Sequence, residues 1–256
     1  MLTESGQAQG GGQGFGLHRR YGLQVFSKAS LHRISATDSP MTDSINEVTP
    51  AKRSRNAKRS QQTILEAARG VFAEQGLEGA RFEEIAERAG VDKRLIYYYY
   101  ANKEELFLCV LEEGYLQLRQ AERELDLEAL PPMDAIRRLI EFSWRFYNDH
   151  PEFMALVNNE NLHRARHLAG SSRLPELASP LVENLGRILE QGRIEGVFRG
   201  GVDPVQLYFT LVGLTYFYLA NQHTLSTIHG RDMVTPKALN ERLSHVTEVI
   251  LGFLVR

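Results

Sequence analysis

Between Phe82 and Tyr100 the chain has room for only two short helices joined by a tight turn. With Phe82 as the first residue of such a unit, Ile85, Val91, Ile96 and Tyr99 fall where a small shared core needs apolar side chains. Ala86 falls where a small residue lets the two helices approach closely. Ala89-Gly90 closes the first helix, and the glycine tolerates the positive φ that the turn requires. Asp92 is placed to cap the second helix. Spacing, turn glycine and cap agree independently, so the stretch reads as a helix-turn-helix.

The rest of the chain repeats the helical period. Ile64, Leu65, Ala68, Val71 and Phe72 make one apolar stripe beginning after Arg59, with Gly76 as its stop signal. Asn102 and Glu105 form a capping-box-like start to a long fourth helix, predicted to reach about Leu125. Further helices are predicted over Met133–His150, Glu152–Leu168, Pro175–Val197, Pro204–Gln222 and Pro236–Val255. No stretch alternates at period two, and no repeat of solenoid length occurs. The fold class is all-α, with a short N-terminal helix-turn-helix domain over residues 51–103 and a larger all-helical C-terminal domain over 104–256. Residues 1–50, Gly/Gln-rich and then Ser/Thr-rich, carry no core pattern and are expected to be disordered. Met41 stands where organised sequence begins, which leaves Met1 and Met41 open as the start.

Charge divides along the same lines. Residues 51–103 carry eleven basic and seven acidic side chains, whereas 104–256 carry fifteen and twenty-one. A basic block joined to an acidic one points to nucleic acid at one end only. The second helix of such a unit presents its N-terminal residues to base edges in the major groove, which nominates Lys93, Arg94 and Leu95. Tyr97 and Tyr98 are expected at the groove wall, with Lys103 within reach of phosphate. Lys52, Arg53, Arg55, Lys58 and Arg59 form a basic arm that either adds salt-sensitive attraction or is simply a solvated face.

The segments Phe72-Ala73-Glu74-Gln75-Gly76, Ile85-Ala86-Glu87-Arg88-Ala89-Gly90-Val91, Ile96-Tyr97-Tyr98-Tyr99-Tyr100 and Lys103-Glu104-Glu105-Leu106-Phe107 resemble the DNA-binding domain of TetR/AcrR-family regulators. That resemblance makes the first domain a three-helix DNA-binding domain and the second a variable helical ligand-binding and dimerisation domain. It implies a homodimer on double-stranded operator DNA and repression relieved by a small-molecule effector held in the second domain. It places Lys93, Arg94, Leu95 and Tyr97 on bases, and Tyr98, Tyr99 and Lys103 on phosphates. Two departures stand out. Ala80-Arg81 replaces the usual Thr pair, so Arg81 is expected to meet phosphate by charge, and a bulky Arg94 stands where a small residue is common. The stretch from Gly79 to Ala86 is similar to the pyrimidine-sensing branch of the family, a likeness confined to the DNA-binding part.

In the second half, Phe153 and Val157 begin an inward stripe that turns polar at Glu160, Asn161 and Arg164. A pocket lined by Trp144, Tyr147, Phe153 and Val157, with Asn161 and Arg164 as polar anchors, suits a small aromatic or carboxylated ligand. The competing reading is that the helix simply surfaces there. Glu160, His163 and His167 have metal-compatible spacing but need a further ligand, so no metal or cofactor is assigned. Surplus apolar residues at Leu207, Leu211, Leu214 and Phe217, and at Leu243, Val246, Ile250, Phe253 and Leu254, are either core or a two-fold interface.

The single cysteine, Cys109, cannot form an internal disulfide and reads as a buried apolar residue, consistent with a reducing cytoplasm. No apolar run is long enough for a membrane span. No nucleophile elbow, phosphate-cradling loop or spaced acid–base pair supports an enzyme. A ligand-independent architectural DNA protein leaves the long second domain without a use.

Overall fold

The apolar stripe ahead of the turn is realised as α1 (Pro50–Gly79) in the computed structural model, which describes residues 50–177 and 180–255. Ile64, Ala68, Val71 and Phe72 are all buried along one face of α1. Its regular course breaks at Gly76, whose φ of 69° lies in the left-handed region that glycine enters at little cost. The chain then re-enters the core through Leu77, fully buried. The expected disorder of residues 1–50, and with it the choice between Met1 and Met41, falls almost entirely outside the described residues.

Two short helices follow, α2 (Phe82–Ala89) and α3 (Lys93–Tyr99), and then the long α4 (Lys103–Arg123). The core beneath them combines Phe72, Leu77, Ile85 and Ile96 with Phe107 and Leu111 of α4. Leu156, from much later in the chain, completes it. The helix-turn-helix half therefore draws core residues from both sides of residue 103.

The second half is built from α5 (Pro132–Asp149), α6 (Pro151–Leu162), α7 (Leu174–Leu177), α8 (Leu181–Ile194), α9 (Pro204–Ala220), α10 (Gln222–His229) and α11 (Pro236–Leu254). Proline opens α5, α6, α9 and α11, where its missing N–H and fixed φ cost nothing. Asp203 and Thr235 cap α9 and α11 by accepting from Val205 N at 2.8 Å and Ala238 N at 3.2 Å. Ile136, Leu139 and Ile140 of α5 meet Leu185 of α8, Leu211 of α9 and Ile250 of α11 in one core. Phe198 is also fully buried there, and a Cβ on Gly192 of α8 would come within 2.1 Å of its ring.

Three boundaries differ from the sequence expectation. The predicted helix over Glu152–Leu168 stops at Leu162, because Arg164 and Ala165 adopt φ of 58° and 56°. The helix predicted over Pro175–Val197 is divided into α7 and α8, and a separate α10 follows α9. Among the apolar residues read as core or interface, Leu207, Leu211, Val246, Ile250 and Leu254 are buried within the chain and belong to its core. The apolar surface left open on α9 and α11 consists of Val205, Phe209, Phe217, Val249 and Phe253.

Candidate nucleic-acid interface and cavity

The helix-turn-helix follows its local chemistry closely. Phe82, Ile85, Ala86 and Ile96 are buried between α2 and α3. Gly90 ends α2 with φ 64°, while its N–H and that of Val91 close the turn on Glu87 and Ala86 carbonyls at 3.1 and 3.0 Å. Asp92 caps α3 by accepting from Arg94 N at 2.7 Å. Arg81 precedes α2 without a side-chain capping bond and is exposed.

The nominated DNA contacts separate into three groups. Arg94, Tyr97 and Tyr98 project into solvent from one surface of α3, and Tyr98 is 78% exposed. Leu95 and Tyr99 are half-buried and pack against the small core beneath, so each offers only part of its side chain. Lys93 and Lys103 are occupied. The Lys93 ammonium is paired with Glu83 of α2 and lies 5.3 Å from the Tyr97 ring. The hydrogen bond from Lys93 holds the Glu83 carboxyl below the usual carboxylate range and raises the Lys93 ammonium above its own. Lys103 donates to the carbonyls of Glu78 and Ala80, both at 3.1 Å, and so ties the start of α4 to the end of α1. In the basic arm, Lys58 and Arg59 are exposed on α1.

Beside α6 lies a cavity of about 240 Å³, walled by Tyr115, Arg119, Tyr147, Phe153, Val157 and Tyr216. Asn158 and Asn161 stand on its α6 side, and Tyr208 and Val212 on its α9 side. Of the six expected ligand residues, Tyr147, Phe153, Val157 and Asn161 line it. The other two do not. Trp144 is buried 5.8 Å from Tyr218 in ring-centroid distance, away from this wall. Arg164 follows the end of α6, so the helical register that would have placed it on the stripe is lost, and it is exposed.

Glu160 explains the early stop. Its carboxylate, 2% exposed, accepts from the backbone N–H groups of His167 and Leu168, both at 2.9 Å, and bonds His167 Nδ1 at 2.5 Å. The group considered as a metal ligand is thus an anchor for the turn after α6.

Sequence reasoning missed Tyr115, Arg119, Tyr208 and Tyr216. Arg119 is 3% exposed and donates from Nη1 to Glu122 at 2.6 Å, one turn along α4. An Arg–Glu pair three residues apart ordinarily signals a solvated face, so only the packing reveals this one as interior. Tyr216 donates its hydroxyl to the Met154 carbonyl at 3.0 Å or to Asn158 Oδ1 at 2.8 Å, joining α9 to α6.

Two family models match the chain. Residues 64–110 match bacterial regulatory proteins of the tetR family, and residues 132–250 match the tetracyclin repressor-like C-terminal domain. The HTH-type transcriptional repressor NicS of Pseudomonas putida is 37% identical over 204 residues, spanning 80% of this chain and 96% of that protein. The chain belongs to the tetR family.

This tetR-family chain is a DNA-binding transcription regulator. It is also 28% identical to the HTH-type transcriptional regulator RutR of Escherichia coli over 209 residues, 79% of this chain and 94% of that one. Solved structures share the fold. The putative regulator SCO4942 from Streptomyces coelicolor superposes with a TM-score of 0.58 at 19% identity, covering 76% of this chain and 98% of that one. The fatty acid degradation regulator FadR from Bacillus halodurans gives 0.58 at 20% identity over 77% and 97%. Among the described residues no helix is long and apolar enough to cross a membrane.

Proposed function

We propose that the chain is a cytoplasmic repressor that grips operator DNA as a homodimer and lets go when a small molecule enters the cavity beside α6. One observation carries the reading: α6 belongs to both halves. Its Leu156 is fully buried in the DNA-binding core, and Asn159 Oδ1 accepts from Leu77 N at 3.4 Å just past the Gly76 break. Phe153, Val157, Asn158 and Asn161 of the same helix face the cavity. A ligand that prefers one position of α6 therefore also favours one placement of the helix-turn-helix, and it shifts the equilibrium only by that preference.

Dimerisation supplies the rest. The exposed Phe209, Phe217, Val249 and Phe253 on α9 and α11 give a two-fold axis an apolar surface to bury. Two recognition helices then fit only half-sites spaced about one helical turn, roughly 34–36 Å. The effector changes that spacing. Arg94, Tyr97 and Tyr98 are the principal DNA-facing groups, with Arg81 and Lys58 on phosphate.

Selection of the full-length chain on a random duplex library, followed by footprinting at rising salt, tests this. The expected footprint covers two half-sites in inverted repeat and weakens steeply with salt. Retention of duplex with no sequence preference would replace the regulator with an architectural protein.

A further inference from the structure

The buried cation in the cavity wall is not fully used by the protein. Arg119 is 3% exposed, and its only hydrogen bond among the described residues runs from Nη1 to Glu122. The Nε atom is buried without a partner, one of two such side-chain atoms among the described residues. Buried polar groups are nearly always satisfied, so an unsatisfied one in a native structure calls for an explanation in strain, function or a bound partner. Nε and the neighbouring N–H of a guanidinium form a planar fork, which two carboxylate oxygens match and one carbonyl oxygen does not. Glu122 compensates the charge while leaving that edge unengaged.

The remaining wall selects for a ring. Tyr115 and Phe153 pack edge to face at 5.2 Å, as do Tyr147 and Tyr216 at 5.3 Å, so aromatic faces and edges are offered from two sides. Burial pushes the Tyr147 and Tyr216 hydroxyls well above their usual range, so both remain protonated donors. A volume of about 240 Å³ lies below the roughly 300–1,000 Å³ of sites for drug-sized molecules and matches a single ring with a short substituent.

We propose that the cavity binds a monocyclic aromatic carboxylate, its carboxylate on the unpartnered guanidinium edge of Arg119 and its ring among Tyr115, Tyr147, Phe153 and Tyr216. The assignment rests on the effector reading above and gives that effector its chemical class.

The test is calorimetric titration of the full-length chain, without DNA, using benzoate and its neutral isostere benzamide. Benzoate should bind at least about tenfold more tightly, the margin of a charge-assisted over a neutral hydrogen bond. The double variant Arg119→Gln/Glu122→Gln removes both buried charges together and should lose that preference. Equal affinities in the natural chain, no benzoate binding, or a preference that survives in the double variant would each overturn the assignment. Should the variant fail to fold, the natural chain labelled with 15N-arginine decides the matter: one protected Nε–H resonance moves with benzoate and not with benzamide, and a resonance that ignores benzoate refutes the proposal. With DNA absent, a negative titration removes the carboxylate and leaves any operator footprint standing. A chain that binds benzoate yet protects no DNA keeps the site and loses the repressor.

Discussion

Replacing Arg94 by Ala separates base reading from fold more cleanly than any other change at the interface. Arg94 stands at the second position of α3, exposed, with its backbone N–H donating to the Asp92 cap and its guanidinium in no hydrogen bond or ion pair among the described residues. Alanine keeps that bond and is the best helix former, so the thermal midpoint should stay within the scatter of surface substitutions, about 0.5 kcal/mol either way. The loss at DNA is larger. A well-placed bidentate contact to guanine is worth about 1–3 kcal/mol and occurs twice in a dimer, so the cognate site should lose about 2–6 kcal/mol. That is roughly 30-fold at the lower end and over 10,000-fold at the upper. Fluorescence anisotropy with the selected operator and a scrambled duplex of equal length reads both terms. Cognate affinity should fall far more than scrambled affinity, since a base contact is lost and the phosphate contacts remain. An equal fall on both duplexes would make Arg94 a phosphate contact, and no fall on either would remove it from the interface.

Two further outcomes follow from packing. Gly192→Ala gains roughly 1 kcal/mol of helix propensity but sets a methyl within 2.1 Å of the buried Phe198 ring, a forced overpacking of about 1–3 kcal/mol. The midpoint in thermal melting should therefore drop, and an increase would show that Phe198 can vacate its position at little cost. Burial is the main reason that the Cys109 thiol is pushed up to about 11, so little thiolate exists at neutral pH. A disulfide reagent at pH 7.5 should modify the folded chain much more slowly than the urea-unfolded one, with the folded rate rising as pH approaches the thiol's value; equal rates would contradict that burial.

How much was legible depended on whether a residue's environment is set by neighbours in sequence. The α1 stripe, the Gly90 turn, the Asp92 and Asn102 caps and the prolines opening α9 and α11 are local devices, and each stands where its spacing placed it. Tyr147, Phe153, Val157 and Asn161 were found because the first three continue apolar faces and the fourth follows by helical register. Arg164 was misplaced because the helix is ended by Glu160 accepting the two N–H groups beyond it, a bond that no propensity reports. Arg119 was passed over for a related reason: the same i,i+3 pair with Glu122 would be surface ornament on one helix and is interior here. Lys103 reads as a phosphate contact from position alone, yet its ammonium turns toward the carbonyls of Glu78 and Ala80 across the fold.

The pairing of Lys93 with Glu83 bears on how a regulator finds its site among the roughly 10⁶–10⁹ competing positions of a genome. An ammonium without a counter-ion clings to any phosphate it passes and releases a cation each time, and this indiscriminate hold is what makes proteins linger on irrelevant sequence. Lys93 carries its own anion, so on random DNA the exchange of Glu83 for phosphate gains little. On the proposed reading, Glu83 is released only where a base edge offers Lys93 something better. The residue at the head of the recognition helix would then be nearly mute during the search, and fewer copies of the regulator would stay sequestered along the chromosome.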